Sequence, residues 1–401
     1  MHSSASVGNR LRRWLADFGK YSLFGLLTGV VGGISGVLLF WSIEGITHLR
    51  QAQPWMLWLL PVNGLIIALL YRLAKLPFGN GTHRTVLAAR GETELPLRTA
   101  VVVFFAAVLS HFGGSTGREG AAIEMGGSAV SWLAKRFRAN EADRQRLIVG
   151  GMASAVSGGL GTPLTAALLA TEMTAHIRSV WTVWTCLVSS FVGYGIRLLS
   201  GAPTEAALPA DLPPVDWQTL FTVIGVAAAT ALIGLLFRSA MRLTGKAVKR
   251  VNPLLRTVGA GVAVVLLTLL VGNGDYNGSG MDILHRTVAT GEVVWYACLI
   301  KILFTVLTLQ GGYRGGEVVP SLCIGATAGC AAANLLGLSP VVGTMVGATM
   351  VFGGMTGCPL ATIAVGWELF GGRMGWTLLP TALLVIGFTV LLKKLFHKKT
   401  D

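Results

Sequence analysis

The fold is decided by two similar stretches of the sequence. Residues 113–128 read GGSTGREGAAIEMGGS, and residues 311–326 read GGYRGGEVVPSLCIGA. A shift of 198 residues (317 minus 119) superposes the glycine pairs that open both stretches and places Glu119 on Glu317. In each stretch a glycine-rich segment runs directly into an apolar one. This pattern predicts a flexible loop that leads into the start of a helix.

A second pair of similar stretches follows the first. Residues 161–173 read GTPLTAALLATEM, and residues 357–369 read GCPLATIAVGWEL. In both, a proline (163 or 359) is followed nine residues later by a glutamate (172 or 368), at a shift of 196 residues (359 minus 163). Two matches at nearly one shift indicate that the chain consists of two related halves.

Composition places the chain in a lipid bilayer. Of its 401 residues, 53% are hydrophobic and 12% are charged, about half the charged fraction of a soluble domain. Apolar runs recur along the chain, as at residues 21–43, 221–237 and 377–392, and a membrane-crossing helix needs roughly 20 predominantly apolar residues. These runs lack the two-residue alternation of a membrane β-barrel. We therefore predict an all-α, multi-span membrane protein with well over ten segments.

Small residues are predicted to let these helices pack closely. The chain has 53 glycines, close to twice the average share, and Gly25, Gly29 and Gly33 have the spacing that favours close helix contact in lipid. The cysteines lie in apolar stretches without the close pairing of a metal site, so we expect packing roles, no metal and no other cofactor. The cysteines are Cys186, Cys298, Cys323, Cys330 and Cys358.

The net charge of +14 is read as a topology signal. The basic residues stand between apolar runs and not on a face with interleaved aromatics, so a nucleic-acid partner is not expected. Their clusters fit positive-inside loops, which predicts a multi-pass protein of the plasma or cell inner membrane with both termini in the cytoplasm. The clusters are at residues 10–20, 135–146, 246–250 and 393–399.

The runs and loops divide the chain into five parts. We predict a cytoplasmic N-terminal segment (1–20), a first transmembrane repeat (21–200), a connecting loop rich in proline and acidic residues (201–216), a second repeat (217–392) and a basic cytoplasmic tail (393–401).

The glycine-rich loops have the chemistry of an anion site. A helix starts with unpaired N–H groups and a partial positive charge, so its N-terminus attracts anions. Helix starts are predicted after the loops at residues 113–119 and 311–317, and a third after residues 78–82. Matching Gly- or Pro-interrupted segments in the two halves of a transporter point to a site near the middle of the bilayer. We therefore predict transport of a small inorganic anion.

Glu119 is the candidate gate of this path. An ionised carboxylate at a helix start can occupy the anion site, and a protonated one can leave it, so one side chain could couple protons to anion passage. The alternative is a carboxylate that only caps the helix. For Arg118, three roles remain open: pairing with another carboxylate, facing the vestibule, or direct contact with the ion.

These motifs resemble those of the chloride channel and transporter (CLC) family. Residues 117–121, GREGA, match the family motif that carries the gating glutamate, and residues 315–320, GGEVVP, match a second pore motif. The resemblance covers residues 21–392 and implies two inverted repeats with broken helices, and a homodimer in which each subunit has its own pore. It implies Glu119 as the gate and the following ion-binding residues: Asn80, Gly81, Gly117, Arg118, Gly120, Ala121, Glu317, Val318 and Val319.

Departures from the family pattern resemble its fluoride/proton antiporter branch. The pore-lining serine of chloride members is absent from residues 79–82, GNGT, and Met173 stands where chloride/proton exchangers carry an internal glutamate. In that branch the residue matching Glu317 lies in the pore; the alternative here is a structural ion pair with Arg314. The resemblance therefore implies proton-coupled fluoride export.

Two other readings stay open. A chloride channel or chloride/proton exchanger of the same family is the first. The second is an intramembrane serine hydrolase, because residues 113–117, GGSTG, match GxSxG around Ser115, and His83, His111 or His176 could act as a base. That motif requires a strand before a helix, which the apolar pattern does not predict.

Overall fold

The computed structural model describes residues 2–79, 81–174, 177, 179–203, 217–371, 384 and 387. Within these residues the regular structure is helical, with one short 3₁₀ helix (Pro54–Leu59) and no β-strand. The α-helices are α1 (His2–Ala52), α2 (Leu60–Leu73), α3 (Gly81–Ala89), α4 (Leu97–Ser110), α5 (Glu119–Arg136), α6 (Glu141–Leu160), α7 (Pro163–Met173), α8 (Val180–Leu199), α9 (Trp217–Val248), α10 (Pro253–Val271), α11 (Met281–Thr290), α12 (Ala297–Gly311), α13 (Val318–Leu336), α14 (Pro340–Thr356) and α15 (Pro359–Phe370).

Several of these helices begin and end at local sequence signals. The side chain of Asn140 accepts a hydrogen bond from the Asp143 amide at 2.9 Å and caps α6. Helices α7 and α15 each begin with a proline in the first turn, where no backbone N–H is needed. Gly161 ends α6 and Gly357 ends α14, with φ of 81° and 67°, a conformation in which glycine carries no Cβ penalty.

Within the described residues, six helical segments are long and apolar enough to cross a membrane, so the protein is a multi-pass membrane protein. The predicted runs 21–43 and 221–237 lie within α1 and α9. The run 377–392 lies outside the described residues except for positions 384 and 387. The six segments are Asn9–Ala52, Pro54–Leu73, Val180–Leu199, Val223–Val248, Pro253–Val271 and Val318–Leu336.

The order of the helices repeats along the chain, as the two shifts predict. Each of α1 to α7 has a counterpart in α9 to α15, in the same order. The two motif-bearing helices, α5 and α13, begin 199 residues apart (318 minus 119), and α7 and α15 begin 196 apart (359 minus 163).

The compact units of the structure differ from the sequential division. Among the described residues, those at positions 2–38, 82–100 and 122–203 form one unit, and those at positions 39–81, 101–121 and 217–387 form the other. The second unit therefore takes two segments from the first repeat. Helix α1 runs from His2 through residue 20 without a break, and the five-part division of the chain stays a prediction. The predicted loop has only residues 201–203 described, and the tail 393–401 lies outside the described residues.

The first unit is packed through small residues, as the glycine spacing predicts. Gly25, Gly29 and Gly33 on α1 face α8. A methyl group on Gly25 would lie 2.6 Å from Val188 Cβ, and one on Gly33 would lie 2.7 Å from Gly193 Cα. Any larger side chain would push the helices apart.

The second unit has its own tightly packed core. Helices α13 and α14 cross through glycines: a Cβ on Gly329 would lie 2.9 Å from Gly347 Cα. All five cysteines are buried and none forms a disulfide bond, in agreement with the packing role. A buried cluster joins α9, α12, α13 and α14, and its members are Phe237, Met241, Cys298, Ile302, Val306, Ile324, Ala328, Val351 and Met355.

Candidate functional site

Two motif loops pair with each other in the second unit. The first motif loop is residues 111–118, between α4 and α5, and the second is residues 312–317, between α12 and α13. Gly117 and Gly316 exchange two antiparallel backbone hydrogen bonds, each 2.8 Å. The Gly316 amide also donates to Thr116 Oγ1 at 2.9 Å. The two glutamate motifs, 198 positions apart in the chain (317 minus 119), are thus joined backbone to backbone.

The hydrogen bonds that anchor these loops follow the internal repeat. The Ser115 amide donates to Thr308 Oγ1 at 2.9 Å, and the Arg314 amide donates to Ser110 Oγ at 2.8 Å. Ser110 and Thr308 are 198 residues apart (308 minus 110), the shift that relates the two motifs. Each loop is therefore held by the hydroxyl near the end of the other half's preceding helix. This reciprocal pairing is what two inverted copies of one loop would produce.

Helix starts follow both motif loops at once. Helix α5 begins at Glu119 and α13 at Val318. The first N–H groups of a helix have no partner within it, and the helix dipole adds a partial positive charge there. Because Gly117 and Gly316 tie the loops together, the two helix starts lie at one place. Backbone donors from both repeats are available there to a single negative group.

The Glu119 carboxylate lies between the paired loops. The side chain is 1% exposed. The Cβ position of Gly117 is 3.2 Å from Glu119 Cδ, and that of Gly316 is 2.9 Å from Glu119 Oε2. Neither carboxylate oxygen makes a hydrogen bond of ordinary geometry within the described residues. The backbone amides beside the carboxylate are those of Arg118, Glu119 and Val319, from both helix starts.

The neighbours of Glu119 in the two motifs form the walls of this place. Ala121 and Val319 are each 1% exposed, and Val318 is 8% exposed. Gly120 allows close approach, since a Cβ there would lie 3.2 Å from Gly316 Cα. The structure thus brings together the predicted residues of both motifs, although their roles in binding an ion remain predictions.

The third predicted loop reaches the second motif loop through Arg314. The Arg314 guanidinium donates to the Gly79 carbonyl and lies 4.4 Å from the centre of the Tyr71 ring. Gly81 is the first residue of α3. Asn80, predicted to bind the ion, lies outside the described residues.

Two charged residues differ in their surroundings. Arg118 is 7% exposed, and its guanidinium lies 4.5 Å from the centre of the Phe40 ring, a cation–π contact. Glu317 is half-buried just before α13. The cation that acts on it is Arg238 of α9. The ion pair with Arg314 considered from the sequence is wrong, because that guanidinium is directed to Gly79 and the aromatic rings.

The GxSxG match has the surroundings of a structural turn. The motif stands between two helices, α4 and α5, and not after a strand. Ser115 is buried, and its Oγ is paired with Thr305 Oγ1 at 3.0 Å. His111 Nδ1 is 2.7 Å from the Ala107 carbonyl. His176 lies outside the described residues. The Ser115 hydroxyl therefore helps to anchor the first motif loop to α12.

Sequence reasoning missed the residues that hold the loops. These are the hydroxyls of Ser110, Thr116 and Thr308, and the lysine at position 301, whose contacts are given below. The equivalence of Ser110 and Thr308 at the 198-residue shift was the available signal. For Lys301 the signal was a lone charge inside an apolar run.

A multi-pass membrane protein in which two repeats bring helix starts and a buried carboxylate together is built as an anion transporter. The model of the voltage-gated chloride channel (CLC) family matches residues 64–393, and the chain belongs to this family. The resemblance and the anion-transport class predicted from the sequence are thereby confirmed.

Relatives and solved structures agree with this assignment. The chain is 32% identical over 373 residues to a protein of Pseudomonas syringae pv. tomato named chloride/fluoride channel protein, with 90% of this chain and 80% of the relative covered. The crystal structure of a CLC-type fluoride/proton antiporter matches with a TM-score of 0.84 and 25% identity, covering 94% of this chain and 95% of that one. The crystal structure of a slow cyanobacterial chloride/proton antiporter matches with a TM-score of 0.76 and 20% identity, covering 95% of this chain and 99% of that one. That last match shows the fold, and the predicted all-α repeat architecture is confirmed.

Proposed function

We propose that this protein exports fluoride in exchange for protons. The observation that carries the proposal is the place of the Glu119 carboxylate, buried between the paired loops at Gly117 and Gly316 and beside the amides of two helix starts. A fluoride ion would use the same donors. The carboxylate and the anion therefore compete for one position.

The competition supplies the coupling. An ionised Glu119 holds the position and closes the path. When the carboxyl takes up a proton, it loses its attraction to the helix starts, and an anion replaces it. When the carboxyl group releases its proton, the ionised carboxylate returns to the site and displaces the anion. Proton binding and anion passage are in this way linked through one side chain.

Selectivity for fluoride is argued from hydration. Fluoride is smaller and more strongly hydrated than chloride, so a selective site must replace water with close hydrogen-bond donors. The first motif loop offers the backbone N–H group of Arg118, and the first turn of α13 offers that of Val319. The glycines of both loops let the backbone approach an ion closely. The GGEV sequence of the second motif loop, the missing pore serine and Met173 are the sequence features that favour fluoride. The names of the bacterial relative and of the antiporter structure support this choice.

The proposal includes the assembly and the location. Each subunit of a homodimer carries its own path, in the plasma or cell inner membrane, with both termini in the cytoplasm. The protein acts as a transporter and carries out no covalent chemistry.

The test is ion flux from liposomes that contain the purified protein. With a fluoride gradient, we expect fluoride efflux to drive proton uptake, and chloride to be transported much more slowly. Glu119→Gln keeps the shape of the side chain but removes its titration, so proton movement should stop. Equal chloride and fluoride rates would favour a chloride transporter, and proton coupling that survives in Glu119→Gln would refute the gate.

A matched control is Glu94→Gln. Glu94 lies on the loop before α4, exposed to solvent, and accepts a hydrogen bond from Lys135 at 2.6 Å. This hydrogen bond holds the pKa of Glu94 below its ordinary value, so Glu94 is ionised at neutral pH and its substitution removes one charge. We expect wild-type flux and coupling in this variant.

A further inference from the structure

One ammonium group is completely buried in the second unit. Lys301 lies on α12, a short apolar helix, and its side chain is 0% exposed. Burial of a charged group is costly unless hydrogen bonds or an opposite charge compensate it. An ionisable residue inside a membrane segment is therefore expected to have a function.

Lys301 is held by backbone carbonyls. Its Nζ donates to the Tyr276 carbonyl at 3.0 Å and to the Gly278 carbonyl at 2.9 Å. Both acceptors belong to residues 272–280, the loop between α10 and α11, which we call the buttress loop. Among the described residues, its hydrogen-bond acceptors are these two carbonyls and no carboxylate.

The buttress loop in turn holds the first motif loop. The Gly278 carbonyl that binds Lys301 also accepts from the Thr116 amide at 3.1 Å, and the Gly278 amide donates to the Gly114 carbonyl at 2.8 Å. Asn277 Nδ2 donates to the Gly113 carbonyl at 2.5 Å. Thr116 is the neighbour of Gly117, which pairs with Gly316 beside Glu119. The Gly278 carbonyl therefore links the ammonium group to the first motif loop, which leads directly into Glu119.

Backbone carbonyls carry no net charge, so the hydrogen bonds of Lys301 satisfy its ammonium group without neutralising it. The carboxylate that acts on it is Asp282 at the start of α11, which is exposed to solvent. The half-buried Arg50 adds a second positive charge. In a low-dielectric interior such a charge is screened less than one in water. It adds positive potential where an anion would be held.

We propose that Lys301 is a positioning residue of the anion path: it fixes the buttress loop behind the first motif loop and supplies positive charge that strengthens anion binding. The inference rests on the proposed function, because it assigns Lys301 to the same anion site. A lysine that only held a loop would need its hydrogen bonds and not its charge.

The experiment measures the KM for fluoride and the maximal rate in liposomes. Lys301→Gln keeps a hydrogen-bond donor but removes the charge, and Lys301→Met removes both. We expect both to raise KM on the order of tenfold, which Coulomb's law gives for loss of one charge roughly 10 Å from the anion at an effective dielectric constant of about 20. Lys301→Arg, which keeps the charge, should restore KM to within about twofold of wild type. Lys135→Met, at the exposed end of α5, is the control and should leave KM unchanged.

Cys323 offers a second test that leaves the lysine in place. A Cβ on Gly280 would lie 2.8 Å from Cys323 Sγ and 2.9 Å from Lys301 Cε, so the two side chains border the same glycine. Cys323→Asp puts a carboxylate beside the ammonium and should raise KM as Lys301→Gln does, whereas Cys323→Ser should not. If Lys301→Met does not fold, the comparison of these two Cys323 variants still tests the role of the lysine charge.

The outcomes separate the two proposals. Wild-type flux with an unchanged KM in Lys301→Gln and in Cys323→Asp would overturn the role of Lys301 and leave the proposed function standing. A lower maximal rate with unchanged KM would mean that Lys301 only holds the buttress loop in place. That result would overturn the proposed role of its charge. No halide flux in the wild type would overturn the proposed function and this inference together.

Discussion

Gly316 has no side chain at the point where the two motif loops meet, and one added methyl group is expected to disrupt the site. Its φ is not in the left-handed region, so alanine is compatible with the backbone. The effect of Gly316→Ala therefore comes from space alone. The new Cβ would lie 2.6 Å from the Gly120 amide nitrogen, 2.9 Å from Glu119 Oε2 and 3.2 Å from the Glu119 amide nitrogen.

The magnitude follows from these distances. An ordinary contact begins at 3.4 Å, so the Gly120 backbone would have to recede by about 0.8 Å from its 2.6 Å position. Such a shift is incompatible with the two 2.8 Å hydrogen bonds between Gly117 and Gly316. Their loss costs about 2 kcal/mol at about 1 kcal/mol each, and crowding of a packed site adds about 1–3 kcal/mol.

Two measurements check this prediction. The melting temperature of the detergent-purified variant should be several degrees lower than that of the wild type. Fluoride flux in liposomes should fall at least tenfold, since the Glu119 carboxylate loses its position. The control is Gly259→Ala in α10, where an added Cβ meets nothing within 4 Å and alanine favours the helix. Gly316→Ala with the melting temperature and flux of the wild type would refute the pairing of the loops.

Two further substitutions test the charged and hydroxyl groups around the site. Glu317→Ala removes the carboxyl group just before α13 on which Arg238 acts; we expect chloride flux to rise several-fold relative to fluoride, and an unchanged flux ratio would make Glu317 structural. Ser115→Ala removes the 3.0 Å hydrogen bond to Thr305 Oγ1 and should cost about 1 kcal/mol in the free energy of unfolding with transport preserved. Loss of a hydrolysis product in that variant would instead support the serine hydrolase reading.

Local patterns predicted the architecture of this protein well. The hydropathy of the sequence predicted a membrane protein, and two of the three apolar runs, residues 21–43 and 221–237, lie within α1 and α9. The helix ends at Gly161, Gly357, Pro163 and Pro359 follow signals that are visible in the sequence, because backbone conformation at these residues depends on the residue itself. The spacing of the two motifs gave the repeat. The compact units were not predicted, since the second unit combines segments from both halves.

The sequence by itself determined that this is an α-helical membrane protein of two related halves, that helices start after the glycine-rich loops, and that Glu119 stands at one of these starts. All of these properties depend on residues near one another in the chain. Only the tertiary structure decided that the carboxylate lies between Gly117 and Gly316, that Arg238 and not Arg314 acts on Glu317, and that Lys301 supports the first motif loop. Those arrangements depend on hydrogen bonds and charges between residues up to 200 positions apart, whose meeting is fixed by the packing of many helices at once and leaves no trace in local spacing.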